Sequence, residues 1–174
     1  MAHPPADLRQ SLKLDPHQPT GILFVCLGNI CRSPLAKAIF DHQAREQNSL
    51  DRFIVDSCGT GGWHAGEDAD PRSRMVSEQN GVSMSHRARQ LDPDEDFEKF
   101  HILLAMDERN RSDMIDRGAP RDRVFLMRRF DDTLAHLPDH QIEVPDPYYG
   151  GNDGFQRVFD MLWKANDGLL RRLK

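Results

Sequence analysis

At 174 residues the chain is long enough for one ordinary domain with a single sizeable core. Its formal net charge of −5 argues against non-specific nucleic-acid binding, and no apolar run reaches the length of a membrane span. Three cysteines, at positions 26, 31 and 58, are too few and too scattered for a disulfide scaffold, so a reducing, cytoplasmic setting is expected.

Residues 1–19 are polar, proline-broken and without an apolar stretch. They are expected to form a flexible extension, not a signal peptide, ahead of a domain over 20–174. Residues 22–25 are a short apolar run that ends in Gly28-Asn29 and precedes a helical pattern, which reads as a buried strand. A helix is expected over 34–47, with Ser33 as capping hydroxyl and Pro34 at the first helical position. Leu35, Ala38, Ile39, His42 and Ala44 mark its inner side. Residues 53–55 make a second strand. The stretch 59–66 is too rich in glycine for regular structure and reads as a loop carrying Trp63. Asp70-Pro71 opens a helix over 71–80, stopped by Gly81. After an irregular basic stretch over 83–90, Asp92-Pro93 starts a short helix to about 97. Residues 100–105 are a strong strand candidate, Asp107 caps a helix to about 117, and 124–127 form a fourth strand. The proline-punctuated stretch 128–149 reads as loop. A last helix over 154–172 presents Phe155, Val158, Phe159, Leu162 and Leu169 on one face.

Strands alternate with helices throughout, the mark of a parallel sheet covered on both faces. In such sheets ligands bind beyond the carboxyl ends of the strands, at the switch point of the strand order. Cys26, Ser57, Asp107 and the 128–149 loop all follow strands, so they can converge on that edge.

The chemistry centres on 26–33. Strand, loop and helix N-terminus aim unpaired amides and a positive dipole end at one spot. Arg32 adds a fork of donors matched to phosphate oxygens. Gly28 and Asn29 tolerate the left-handed backbone that a tight anion-wrapping loop requires. The same positive environment favours the thiolate of Cys26, a nucleophile able to attack phosphorus and leave a phosphocysteine. A nucleotide loop is disfavoured, because neither Gly-x4-Gly-Lys-Ser/Thr nor Gly-x-Gly-x-x-Gly is present. A zinc site is disfavoured because Cys26 and Cys31 lack a second ligand pair at zinc spacing. Cys31 reads equally as a packed side chain or as a reversible disulfide partner for Cys26. Cleaving an aryl ester needs a proton for the leaving group, and Asp146, fixed between two prolines, is the candidate acid. Tyr148 and Tyr149 suggest one wall of a slot for a planar substrate, and Trp63 the opposite wall.

The motifs Val25-Cys-Leu-Gly-Asn-Ile-Cys-Arg-Ser-Pro34, Asp56-Ser-Cys-Gly-Thr60, Ser85-His-Arg-Ala-Arg-Gln90, Met106-Asp107 and Asp146-Pro-Tyr-Tyr-Gly150 together resemble the low-molecular-weight protein tyrosine phosphatases, in order and with similar spacing. The resemblance implies a three-layer α/β fold with a four-stranded parallel sheet between helices. It implies Cys26 as nucleophile, Arg32 as phosphate and transition-state clamp, and Asp146 as general acid and then general base. The loop Leu27, Gly28, Asn29, Ile30, Cys31 and Ser33 would bind phosphate. Asn29, Ser33, Ser57 and His86 would form a supporting hydrogen-bond network, with Asp107 beside it. No metal or cofactor is implied. The expected partners are tyrosine-phosphorylated proteins, with inorganic phosphate or other oxyanions as product or inhibitor; nothing in the sequence reads out oligomeric state, and a monomer is the default expectation. Residues 1–19 have no counterpart in the family pattern, and Cys58 stands where alanine is usual.

Three alternatives are weighed by single features. Related arsenate reductases need two further redox cysteines near 80–95, and none is present. Related arginine phosphatases carry threonine where this chain has Ile30. A silent phosphotyrosine-binding module would not need Cys26, Arg32 and Asp146 all intact.

Overall fold

The computed structural model describes residues 3–174. Helix α1 (Leu8–Ser11) precedes β1 (Thr20–Cys26), α2 (Arg32–Glu46), β2 (Phe53–Gly59), α3 (Pro71–Gln79), α4 (Pro93–Lys99), β3 (Ile102–Ala105), α5 (Glu108–Asp116), β4 (Val124–Leu126) and α6 (Asn152–Arg171). The strands are all parallel, in the order β2-β1-β3-β4. This is the four-stranded parallel sheet flanked by helices expected from the sequence.

The period of two along each strand builds two cores. Ile22, Phe24, Ile102 and Leu104 pack on one face with residues of α2 and α6, among them Leu35, Ile39, Phe155 and Leu162. Leu23, Val25, Leu103 and Ala105 point to the other face, against Phe97 of α4 and Met114 of α5. Helix α2 lies between the sheet and α6, so more than one stripe is covered: Leu35, Ala36, Ile39, Phe40, Gln43 and Ala44 are all buried. Polar groups between these helices are paired, as when Asn166 Nδ2 donates to Ala36 O at 3.0 Å.

Caps and stops explain most helix ends. Asp70, Asp92 and Asp107 each accept a backbone N–H in the first turn of the helix that follows. Gly81 has φ +75° just beyond α3, a conformation in which a Cβ would be strained. The 128–149 stretch folds into three single 3-10 turns, at Met127–Phe130, Asp132–Leu134 and Asp139–Gln141.

Two expectations are corrected. Helix α2 begins at Arg32 and not at Pro34, and Cys31 at its N-cap supplies no side-chain cap. The Ser33 hydroxyl is drawn into the buried site and does not cap the helix. At the amino terminus, residues 1 and 2 of the expected flexible extension lie outside the described residues, while Leu8–Ser11 form α1 and Leu8 is fully buried in the main core. Leu8 N–H donates to Arg172 O at 3.0 Å, which fastens the segment to the end of α6. Leu8 and Leu12, one helical turn apart, are the residues that pack on the core; a single i,i+4 pair in a polar, proline-broken stretch is too short a periodic signal to disclose the docking.

Candidate active site

The strand order places the carboxyl ends of β1 and β3 on either side of the switch point. Cys26 ends β1, and the loop 27–31 turns directly into α2. Asn29 makes that turn possible by adopting φ +57°. The amides of Leu27, Gly28, Ile30 and Cys31 have no hydrogen-bond partner among the described residues. Together with the uncapped first turn of α2 they form a bowl of free donors at the positive end of a helix.

Cys26 sits in the bowl. Asn29 N–H donates to its Sγ at 3.3 Å. Ser33 Oγ accepts from Asn29 Nδ2 at 2.8 Å and lies 3.0 Å from Cys26 Sγ and 3.4 Å from Cys58 O, the nearer of the two acceptors for its one proton being the sulfur. Cys26 Sγ is thus contacted from two sides of the loop, by Asn29 and by Ser33. Asn29 organises the rest. Its Nδ2 also donates to Ser57 Oγ at 3.0 Å, and its Oδ1 accepts from Arg89 N–H at 2.9 Å. Its carbonyl accepts from His86 Nε2 at 2.6 Å, so that nitrogen carries the proton. Burial lowers the His86 pKa and keeps the imidazole neutral, despite the opposing Asn29 hydrogen bond.

Arg32 is buried and held from behind. Its Nη1 donates to Asp107 Oδ2 at 2.6 Å and to Val144 O at 3.1 Å, while Nη2 approaches Asp146 Oδ2 at 3.6 Å. Burial works against the charged guanidinium, but negative charge at Cys26 and the Asp107 and Asp146 carboxylates raise its pKa on balance. Asp107 therefore has two tasks, capping α5 through Oδ1 and orienting Arg32 through Oδ2. Asp146 is aimed by its own turn, because Tyr148 N–H donates to its Oδ1 at 3.0 Å. Cys31 is pushed the other way from a reactive thiol: burial first, then negative charge at Asp70, Cys26 and Asp146, keep it protonated.

Cys26, Leu27, Gly28, Ile30, Cys31, Arg32, Trp63, Asp146, Tyr148 and Tyr149 line one open cavity of about 320 Å³. Tyr148 and Tyr149 meet edge to face at 4.9 Å, and Trp63 is 72% exposed at the rim. The indole lies over Gly61, where an added Cβ would stand 1.8 Å from the ring and displace it from this position. Asn29 and Ser33, expected in the phosphate-binding loop, do not line the cavity, and with Ser57, His86 and Asp107 they lie behind it. Sequence reasoning missed His64, which also lines the cavity and pairs its Nδ1 with Glu67 Oε2 at 2.7 Å. It also missed Arg89, whose side chain bridges Asp56 and Asp96 while its backbone holds Asn29. No local pattern marks Arg89, because the Asn29 side chain it holds lies 60 positions away, and the short-range pair of His64 with Glu67 does not by itself point to a cavity.

A parallel α/β sheet with a cysteine in an amide-lined bowl, a buried arginine and a carboxylate facing it defines a domain built to hold an oxyanion beside a nucleophile. Residues 21–174 match the model of the low molecular weight phosphotyrosine protein phosphatase family, and the chain belongs to that family. A low molecular weight protein-tyrosine-phosphatase of Streptomyces coelicolor is 39% identical over 157 residues, covering 88% of this chain and 93% of that protein. The crystal structure of a protein tyrosine phosphatase of Entamoeba histolytica, with Hepes in its active site, superposes with a TM-score of 0.79 at 38% identity. It covers 87% of this chain and 94% of that one. An arginine phosphatase of Drosophila superposes with a TM-score of 0.76 at 27% identity, covering 86% of this chain and 94% of that one.

Proposed function

We propose that the chain hydrolyses phosphotyrosine in proteins through a phosphocysteine intermediate. The Cys26 thiolate attacks phosphorus in line, and the bond to the phenolic oxygen breaks as Asp146 gives that oxygen its proton. The phenol would otherwise leave as an anion with a pKa of about 10. Water then attacks the phosphocysteine, Asp146 takes its proton, and inorganic phosphate leaves with Cys26 restored. The free loop amides and Arg32 hold the equatorial oxygens through both steps. The observation that carries the reading is Cys26 Sγ held by Ser33 and Asn29 inside the bowl, with Asp146 and the aromatic rim on the same cavity.

The working unit is taken to be a cytoplasmic monomer acting on tyrosine-phosphorylated proteins, with inorganic phosphate and other oxyanions binding in the bowl. The likeness to an arginine phosphatase supports a second reading as a phosphoarginine hydrolase. Against it, Ile30 places an aliphatic side chain on the cavity wall, which suits an aromatic ring better than a guanidinium. Phosphate release from matched phosphotyrosine, phosphoserine and phosphoarginine peptides decides. Preferential turnover of phosphotyrosine is expected. Preference for phosphoarginine, or no turnover of any aryl phosphate, would overturn the proposal.

A further inference from the structure

Arg72 stands behind the aromatic wall of the cavity without lining it. Its guanidinium carbon lies 5.5 Å from the centre of the Tyr148 ring and 4.7 Å from that of Phe155. Its Nε and Nη2 donate to the two carboxylate oxygens of Asp70, at 3.0 and 2.9 Å. Burial would raise the Asp70 pKa, but these bonds and the Arg72 backbone N–H lower it, so the pair stays charged. Asp70 is itself fastened to the phosphate-binding loop. Its N–H donates to Ile30 O at 2.8 Å, and Ser73, in the same helical turn, donates through Oγ to Cys31 O at 2.9 Å. A continuous set of contacts therefore runs from the loop, through Asp70 and Arg72, to Tyr148.

Tyr148 needs such a support. It sits on a loop, 39% exposed, beside a second tyrosine that is 92% exposed. A planar guanidinium can lie against a ring face and grip a carboxylate with its edge at the same time, which an ammonium cannot. We infer that Arg72 is a positioning residue that holds Tyr148 as one wall of the aryl slot, and that Asp70 ties this wall to the phosphate-binding loop. The inference deepens the reading of the cavity as an aryl phosphate site and rests on it.

The test is a double-mutant cycle read on KM. Arg72→Leu is expected to raise KM for a phosphotyrosine peptide by about fivefold and leave kcat within about twofold. Inhibition by inorganic phosphate should not change, because phosphate occupies the bowl and not the slot. In a Tyr148→Ala background, Arg72→Leu should add nothing. Asp70→Asn keeps a helix cap but weakens the fork, and should reproduce part of the KM rise, while Arg72→Lys should fail to restore the wild-type value. Independently of turnover, the Tyr148 ring protons should lose their dispersion in the NMR spectrum of Arg72→Leu, with Phe24 and Phe40 in the core unaffected. An equal KM rise in the Tyr148→Ala background, a parallel loss of phosphate inhibition, or unchanged Tyr148 ring shifts would overturn the inference. Failure of the functional reading is seen separately, as wild-type protein that turns over no aryl phosphate, and the ring shifts then still decide the role of Arg72.

Discussion

The two ends of the sheet are made of the same four strands and solve opposite problems. At the carboxyl end, polar side chains are buried: Asn29, Arg32, Ser33 and Ser57 are each 3% exposed or less. Each is held by hydrogen bonds from segments far apart in the chain. At the amino end, an apolar side chain closes the core: Leu8 packs there with Leu12 beside it, and its N–H donates to Arg172 O just past the end of α6. The carboxyl end spends stability on a polar arrangement with free amides. The amino end supplies contacts that act on no ligand. Damage to one end should therefore appear as lost chemistry, and damage to the other as lost stability.

The largest expected effect is at the carboxyl end. Cys26→Ser should lower turnover of an aryl phosphate by about a thousandfold or more. The bowl of amides remains, so inorganic phosphate should still raise the Tm of the variant. Substantial residual turnover would refute the nucleophile assignment. Next, Asp146→Asn should slow poor aryl leaving groups by about a hundredfold or more, and activated ones far less. Equal losses for both would remove Asp146 from the role of acid.

The amino end should give the converse. Leu8→Ala should cost about 2–5 kcal/mol of stability and leave kcat/KM at 25 °C unchanged; a variant that lost activity in step with stability would show that the two ends are coupled. The smallest effect concerns His101, whose Nδ1 accepts the Gly21 N–H at 2.8 Å and extends the ladder between β1 and β3. Burial, followed by the charges of Arg123 and Arg9, lowers its pKa, and a protonated Nδ1 cannot accept. A lowered folded-state pKa means that this contribution is complete above about pH 6.5 and declines as pH falls from there through the folded-state value. Denaturant unfolding at pH 5 and 7.5 should show a smaller pH difference in His101→Asn than in the wild type. An identical difference would place the acid sensitivity elsewhere, for example at His86, whose lowered pKa acts in the same direction.

The elements were legible in the sequence because each has a local cause. Apolar runs such as 22–25 and 102–105 alternate faces. Asp70, Asp92 and Asp107 cap helices, and Gly81 stops one. The motif 26–33 was legible as a candidate anion site, because a short loop between a strand and a helix N-terminus aims its free amides at one spot. Asp146 and the tyrosines were legible by residue type and by the prolines around them. Less legible was Ser33, which reads as a helix cap until the fold brings Cys26 and Asn29 within reach of its hydroxyl.

The sequence by itself determined the parallel sheet and the family to which the chain belongs, and it singled out Cys26, Arg32 and Asp146 as candidates for the proposed chemistry. Only the tertiary structure decided what stands behind them. Arg89 supports Asn29, His64 joins the cavity lining, Asp70 and Arg72 reach Tyr148, and Leu8 closes the far end of the core. Each of those contacts joins segments from different elements, and a contact across the fold leaves no period, spacing or cap in the chain that makes it.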